Sequence, residues 1–173
     1  MLKVENLFKQ YTSEDGTPGG GVLGASAGFA GGLFFFPILF PPPAANEQVA
    51  NAESQTKIAQ AMFIHANPSD PVHYGKGSVE VLKGKSGSNL LHLKPDFKVG
   101  PGPRFHVYLA DKSKIMNSAD FKAAKKIDLG RLRSFEGSQV YEVPKGTDIS
   151  PVKSVVIWCK EFNVLISPAT LKK

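Results

Sequence analysis

Cysteine is the scarcest reactive residue in this sequence: its 173 residues include one cysteine, Cys159, next to one tryptophan, Trp158. A single cysteine excludes an intramolecular disulfide, so the fold has to be held together by its hydrophobic core. No Cys-x-x-Cys-His motif is present, which excludes that form of haem attachment. A lone thiol in an oxidising compartment is expected to be buried, functional or paired with another chain.

Several motifs that identify enzymes and nucleic-acid-binding proteins are also missing. The sequence has no glycine-rich phosphate cradle, no serine nucleophile elbow and no paired-carboxylate arrangement, so nucleotide-binding and hydrolase functions have little support. No recognition-helix pattern, zinc-ligand spacing or aromatic-plus-glycine RNA signature is present either. Nucleic acid is therefore not expected as a partner.

Charge is unevenly distributed along the chain. The formal net charge is +6, of which residues 1–54 carry −3 and residues 55–173 carry +9. So basic a region suits phosphate, acidic lipid headgroups or an acidic partner, although dispersed lysines more often form a solvated surface. With 42% hydrophobic residues, a chain of this length is expected to form one well-buried domain with an appendage.

Residues 19–40 (GGGVLGASAGFAGGLFFFPILF) contain no charged residue, and Ser26 carries their one polar side chain. Their length matches the roughly 20 residues that cross a hydrocarbon core. The many small residues suit close helix contacts in a membrane, and Pro37 is expected to kink or end the helix. The stretch therefore predicts a membrane anchor, with a signal peptide or a buried or disordered glycine-rich segment as alternatives.

The flanks of this stretch favour an uncleaved anchor. Residues 1–18 form an N-terminal tail that is acidic rather than basic, and the nearest small-x-small cleavage site, Ala50-Asn51-Ala52, lies far beyond the apolar stretch. Lys3 and Lys9 precede the stretch, whereas Lys57 is the first basic residue after it. The positive-inside rule then predicts a single-pass protein of the cell membrane whose C-terminal domain is periplasmic or extracellular.

Residues 41–60 read as a linker, and residues 61–173 as the folded domain. Pro41-Pro42-Pro43 predicts a stiff spacer, and residues 46–60 are polar with weak helical character, typical of a linker or a short docking helix. Beyond them, short apolar runs alternate with turn signals, which is typical of an all-β domain. The predicted fold is an antiparallel β-sandwich or partly closed barrel. Its strands are predicted at residues 61–65, 77–82, 89–93, 105–110, 140–143, 154–162 and 163–171, with a short helix or long loop at 111–129.

The run Ser154–Phe162 (SVVIWCKEF) has the strongest strand signal, because valine and isoleucine fit a pleated surface. Alternation places Cys159 on one face with Val155 and Ile157, and Trp158 on the other. An apolar setting of this kind makes a thiol behave as an inert small hydrophobe. Cys159 is therefore either a structural core residue or, if functional, a thiol that a cavity or cofactor has to reach.

A set of motifs in this order resembles a known family. These motifs are His73 with Gly75-Lys76-Gly77, Asp96-Phe97, Gly100-Pro101-Gly102-Pro103-Arg104-Phe105-His106-Val107-Tyr108-Leu109, Leu129-Gly130-Arg131-Leu132, Gly137-Ser138-Gln139-Val140-Tyr141-Glu142-Val143-Pro144 and the Val-Ile-Trp-Cys core. Together they resemble the electron-transfer DM domain (DM-thirteen) family, as found in Skeletor-type proteins. The resemblance covers residues 61–171.

The resemblance implies an extracytoplasmic β-sandwich in which one characteristic cysteine, here Cys159, takes part in electron transfer. That role is either bare thiol chemistry or attachment of a group such as haem, so the cofactor is unknown and haem is one candidate. In animals, the domain is joined to haem-binding sandwich domains and to membrane cytochromes of the ferric-reductase type. A redox partner protein in the cell envelope is therefore expected.

The histidines are the other candidate ligands, because imidazole and thiolate both suit haem or copper. His65, His73, His92 and His106 have no close mutual spacing. His106 alternates against an apolar face and is expected to face solvent. His73 lies beside a turn where the family pattern also has histidine, so His73 and Cys159 are the predicted cofactor-binding pair. No metal site is predicted.

Two functions of different classes follow from these observations. The first is a membrane-anchored domain that takes part in electron transfer or thiol redox chemistry centred on Cys159, its redox candidate. The second is a non-catalytic β-sandwich binding module that presents its loops or basic surface to an envelope partner or an anionic polymer. A Cys159 that is exposed near a histidine favours the first function, and a sealed Cys159 with a lysine-lined cleft favours the second.

Overall fold

The computed structural model describes residues 36, 38–85 and 87–173. The predicted membrane anchor, residues 19–40, lies outside the described residues except for residues 36 and 38–40, as do the tail 1–18 and residue 86. Among the described residues, no helix is long and apolar enough to cross a membrane. From residue 38 onward the described residues belong to one compact unit, Pro37–Lys173.

From Ala45 onward, the described residues of this unit form eleven strands, a short α-helix and a 3₁₀ turn. The strands are β1 Ala45–Asn46, β2 Gln55–Met62, β3 Gly75–Lys76, β4 Ser78–Gly84, β5 Asn89–Leu93, β6 Lys98–Val99, β7 Phe105–Ala110, β8 Lys126–Arg131, β9 Gly137–Glu142, β10 Ser154–Cys159 and β11 Val164–Thr170. The helix is α1, Ser118–Ala123, and the 3₁₀ turn is Ala52–Ser54. The prediction of a mainly β domain is confirmed.

The strands form three sheets. The larger two have the strand orders β1-β9-β5-β4-β2 and β11-β10-β7-β8, and β3 pairs with β6 alone. Every pair is antiparallel except β1 with β9, which run parallel. The antiparallel pairing predicted for residues 61–173 is what the described strands of that segment show, and the parallel pair involves β1, which lies in the segment predicted as a linker and aligns alongside Gly137 and Ser138.

One hydrophobic core lies between the two larger sheets. Alternate residues of both contribute to it, among them Val81 and Leu91 from the first sheet and Val107 and Ile157 from the second. The sheets also meet at one edge, where the backbones of Gln60 and Lys172 exchange hydrogen bonds of 2.9 and 2.8 Å. The strand orders of the described residues stay open, so the domain is a sandwich joined along one edge rather than a closed barrel.

A second, smaller core lies on the other face of the four-stranded sheet. Here α1 covers Tyr108 and Trp158, and Phe121 packs against both rings at centroid distances of 5.2 and 4.5 Å. The side chain of Asn117 caps α1 by accepting a hydrogen bond of 2.9 Å from the Asp120 backbone N–H. The segment 111–129, predicted as a helix or a loop, thus contains α1 and also the start of β8, which the sequence pattern did not predict.

The segment predicted as a linker, residues 41–60, contributes β1 and most of β2 to the five-stranded sheet. β2 begins at Gln55, six residues before the strand that was predicted to start at Ala61. The early part of β2 is polar because it lies at the edge of the sheet, where Thr56 and Lys57 are exposed to solvent. Edge position, rather than linker character, explains its composition.

Candidate functional site

Cys159 is the last residue of β10, the strand with the strongest sequence signal. It lies between Phe105 of β7 and Val164 of β11. Its neighbours on the same face, Val155 and Ile157, belong to the main core with it, while Trp158 belongs to the smaller core. The predicted alternation is therefore confirmed, and the thiol points into the space between the sheets.

The Cys159 end of the sandwich is sealed: Cys159 is 0% exposed. Phe105, the cross-strand neighbour of Cys159 on β7, packs edge-on against Phe135, with ring centroids 5.9 Å apart. The turn before β7 lies against the Phe105 ring, since a Cβ at Gly102 would overlap it. Phe105 and this turn form the cover of the Cys159 end, and because Cys159 has no exposed surface, a reagent or partner protein can meet the thiol only after a local opening.

His73 lies in a loop fixed by Asp70. The Asp70 carboxylate accepts hydrogen bonds from the backbone N–H groups of Val72 and His73 (2.9 and 3.0 Å) and from His73 Nδ1 (2.6 Å). These bonds lower the pKa of Asp70 to about 2, the His73 side chain contributing most. Because Nδ1 is bonded to Asp70, Nε2 is the ring nitrogen that remains for a ligand or a proton.

The His73 loop and Cys159 lie at the same end of the sandwich. The backbone N–H of Gly100 donates to the Tyr74 carbonyl oxygen (3.2 Å), which joins this loop to the turn that covers Phe105. β3 also crosses β11 closely, since a Cβ at Gly75 would overlap the side chain of Ser167. The polar partner of the His73 ring is Asp70, and the cofactor-binding pair His73 and Cys159 stays a prediction.

The other histidines each have a polar partner. His65 Nε2 donates to the Asp70 carbonyl oxygen (2.6 Å). His92 lies between Glu80 (3.0 Å) and the hydroxyl of Ser138 (2.9 Å), which in turn donates to the Glu47 carbonyl oxygen (2.6 Å). The His92 network fixes the segment around β1 to the sheet, which is a structural role.

His106 is part of a polar cluster on the outer face of the four-stranded sheet. Its Nδ1 lies 2.9 Å from Asp128 Oδ1, and Lys160 Nζ lies 2.7 Å from Asp128 Oδ2. Burial opposes ionisation of Asp128, but the hydrogen bonds from Lys160 and His106 outweigh it and lower the pKa to about 2. The outward orientation predicted for His106 is thus what the structure shows, although Tyr108 on the same face is buried beneath α1.

A cleft opens at the other end of the sandwich. It has a volume of about 470 Å³, and lysines stand at its rim, Lys83 and Lys173. No motif in the sequence pointed to it, because its walls come from segments that are distant in the chain. The one sequence feature near the cleft is the alternation of lysine and glycine around the turn after β4.

The comparison with protein families decides the affiliation of the chain. The sequence matches the family model described as Electron transfer DM13 over residues 68–171. The chain belongs to this family. Comparisons with curated proteins and with solved structures give no match.

The DM13 match includes both predicted site residues, His73 and Cys159, and the strands from β3 to β11. It begins after β2, so β1 and β2 of the five-stranded sheet lie before the matched region. The resemblance inferred from the motifs is therefore confirmed at the level of the family. Its Skeletor-type detail stays a prediction.

Haem, which membership in the DM13 family raises as a candidate, does not fit at Cys159 in the described conformation. The thiol has no exposed surface and lies among packed apolar side chains. Within the described part of the chain, no group of three or more histidine, cysteine or carboxylate side chains is arranged to hold a metal ion. Access to the Cys159 thiol therefore requires a local opening of the structure.

Proposed function

We propose that this DM13 protein is a membrane-anchored, extracytoplasmic domain that takes part in electron transfer through the thiol of Cys159. The observation that carries the proposal is the family match, which includes Cys159 and the strands around it. The apolar stretch 19–40 supports the anchor, and the basic residues before that stretch support the orientation.

A single cysteine transfers electrons by exchange with sulfur of another molecule. In this step the Cys159 thiol loses its proton to solvent, and the thiolate attacks a disulfide of an envelope protein. A mixed disulfide forms, and the second sulfur of the partner leaves as a thiolate and is protonated. A dithiol of a second partner completes the transfer: its first thiolate attacks Cys159 Sγ and releases the first partner as a dithiol, and its second thiolate then displaces the Cys159 thiolate. The second partner is left with a disulfide, so two electrons pass between the partners without another oxidant.

The exchange requires a local opening at the Cys159 end of β10. The β10–β11 turn follows Cys159 directly, and its outer ion pairs are exposed ones, Arg104 with Glu161 (3.6 Å) and Lys160 with Asp128 (2.7 Å). Exposed pairs contribute little to stability. Such a turn opens more readily than the centre of a sheet, and its opening would give the thiol a route to solvent.

The test compares the full chain in lipid nanodiscs with its Cys159→Ser and Cys159→Ala variants. Each protein is incubated with a small-molecule disulfide of known potential, and the mixed disulfide is measured by mass spectrometry across a series of thiol-disulfide buffers. The wild type is expected to give one reversible adduct with a midpoint potential, and both variants none. Absence of the adduct in the wild type under native conditions would remove the proposed function.

A second candidate function is supported by a specific contrast. Cys159 is sealed, while the cleft at the other end is open and has lysines at its rim. This arrangement favours a non-catalytic binding module of the cell envelope. The same Cys159→Ala variant discriminates the two functions, because a binding module keeps its cellular activity when the thiol is removed.

A further inference from the structure

The cleft lies where the two larger sheets separate at the Ser154 end of β10. The larger apolar side chains of its inner surface come from both sheets and from the loop before β10: Ile58, Val81, Leu109, Ile149, Val152 and Leu171. Three of them, Ile58, Ile149 and Leu171, are only half-buried. Apolar surface left partly in contact with water favours a ligand with an apolar body.

The rim of the cleft has a different character. It is formed by Lys83, Asn89, Thr147, Asp148, Ser150 and Lys173. A second cleft, of about 490 Å³, continues from it across Asn89, Thr147 and Asp148, and adds Lys145. A ligand in the apolar part would therefore keep its polar end among these side chains.

The charges at the rim favour an anion. Lys83, Lys145 and Lys173 are exposed, and Asp148 is the one acid in the two linings. The Asp148 carboxylate is already held by Ser150, accepting hydrogen bonds from its backbone N–H (2.8 Å) and its hydroxyl (2.9 Å). These bonds lower the pKa of Asp148, which therefore stays ionised without neutralising all three lysines.

The rim also contains an acceptor without a donor. The Oδ1 atom of Asn89 is buried and has no hydrogen-bond partner within the described residues. A buried acceptor left unpaired costs free energy. Proteins retain such groups mainly where a water molecule or a ligand supplies the missing donor. Because the Asn89 oxygen has almost no accessible surface of its own, a ligand in the open cleft does not reach it.

We infer that this cleft binds a small organic acid with an apolar body. The apolar body would lie against Leu171 and Ile149, and the carboxylate would face Lys83 and Lys173. This inference rests on the second proposed function, the binding module, and does not involve Cys159. A volume of about 470 Å³ accommodates a ligand of two fused rings.

The test uses the full chain in nanodiscs of zwitterionic lipid and three matched probes in isothermal titration calorimetry. The probes are 6-hydroxy-2-naphthoate, 2-naphthoate, which lacks the hydroxyl, and 2-naphthylmethylammonium, which has the opposite charge. Both acids are expected to bind more tightly than the ammonium, because lysines stand at the rim of the cleft. Equal affinity for the acid and the ammonium would overturn the inference.

Variants assign the effect to the cleft. Lys83→Glu and Lys173→Glu are each expected to weaken binding of both acids at least about twofold to fivefold, as for partly exposed ion pairs. Lys114→Glu makes the same charge change away from the cleft and should have no such effect. Leu171→Trp, which fills the cleft, should abolish binding of both acids. Thermal unfolding confirms that each variant is folded.

The failure of this inference is distinguishable from failure of the redox function. Cys159→Ala should bind the probes as the wild type does, and the cleft variants should still form the mixed disulfide. A different outcome is that the chain binds an anionic polymer but none of the aromatic acids. If Lys114→Glu then weakens polymer binding as much as Lys83→Glu does, the binding site is the basic surface rather than the cleft. That result would also overturn the inference.

Discussion

The two ends of β10 differ in what they leave open to solvent. β10 has six residues, so its ends lie roughly 17 Å apart at about 3.3 Å per residue. At one end Cys159 is covered by Phe105 and the turn that contains Gly102. At the other end the sheets separate into an open cleft. A reaction at Cys159 therefore requires a local opening, whereas binding in the cleft does not.

The largest expected effect comes from removing the cover of Cys159. Phe105 is 4% exposed, and Phe105→Ala should lower the free energy of unfolding by about 3–5 kcal/mol, through lost burial and the cavity left behind. The native thiol should also become faster to label with a thiol reagent. The two effects are measured by denaturant unfolding and by labelling rates under native conditions.

Ile149→Ala is the control at the cleft end. Because Ile149 is only partly buried, this substitution should lower the free energy of unfolding less than Phe105→Ala does. It should leave the labelling rate of Cys159 unchanged once the lower overall stability is taken into account. Equal acceleration of labelling in both variants would contradict the difference between the two ends.

The next effect concerns Tyr141, which belongs to the core shared by both ends. Burial raises the pKa of Tyr141 to about 12 in the folded protein, above the ordinary value of 10. Its contribution to stability is therefore complete below pH 10 and is lost as pH rises from 10 to 12. The loss should amount to about 2–3 kcal/mol, at 1.36 kcal/mol per pKa unit.

The measurement is the free energy of unfolding at pH 9, 10, 11 and 12 for wild type and Tyr141→Phe. The variant should lack the part of the decline that arises from tyrosine ionisation. Parallel declines would show that Tyr141 ionises alike in the folded and unfolded chains.

A smaller effect is expected at low pH from Asp128, on the outer face near the Cys159 end. The folded pKa of about 2 lies below the ordinary 3.8. The stability that Asp128 contributes is thus present above pH 4 and is lost as pH falls toward 2. Because the side chain is 33% exposed, solvent screening limits the effect to about 1 kcal/mol.

Asp128→Asn tests this by flattening the decline in stability between pH 4 and pH 2. The same substitution should accelerate thiol labelling slightly at pH 7, because the Lys160 contact next to Cys159 is weakened. An unchanged acid profile would contradict the role assigned to the cluster.

The smallest expected effect is a gain in stability at the cleft end. Asn89→Leu removes a buried acceptor that has no partner among the described residues. Removing it should raise the free energy of unfolding by up to about 1 kcal/mol. Measured by thermal unfolding without ligand, a clear loss instead of a gain would show that Asn89 Oδ1 is satisfied in the unliganded protein.

The sequence pattern predicted the strands that have one clearly buried face. β5 and β7 have the predicted bounds, and the inward orientation of Cys159 follows from the alternation of Val155, Ile157 and Cys159. Alternation predicts these orientations because side chains of a strand point to its two faces in turn. Once one face is apolar and buried, the face of every residue in the strand is fixed. Family motifs added the affiliation.

The pattern failed where tertiary structure overrides it. β8 ends the lysine-rich segment 111–129 and is held in the sheet by pairing with β7, and Trp158 is buried because α1 covers the face of β10 opposite the main core. The presence of the cleft depends on how distant segments meet. None of these follows from the order of residues along one strand.

The central claim is that Cys159 is sealed in the native state and reacts through a local opening. The most direct test is the labelling rate of Cys159 in the wild-type full chain, in nanodiscs, as denaturant is raised from zero. Cys159 is expected to be labelled far more slowly than a free thiol. The labelling rate should rise only weakly with denaturant at concentrations well below the unfolding transition. Labelling as fast as a free thiol, or only with global unfolding, would contradict it.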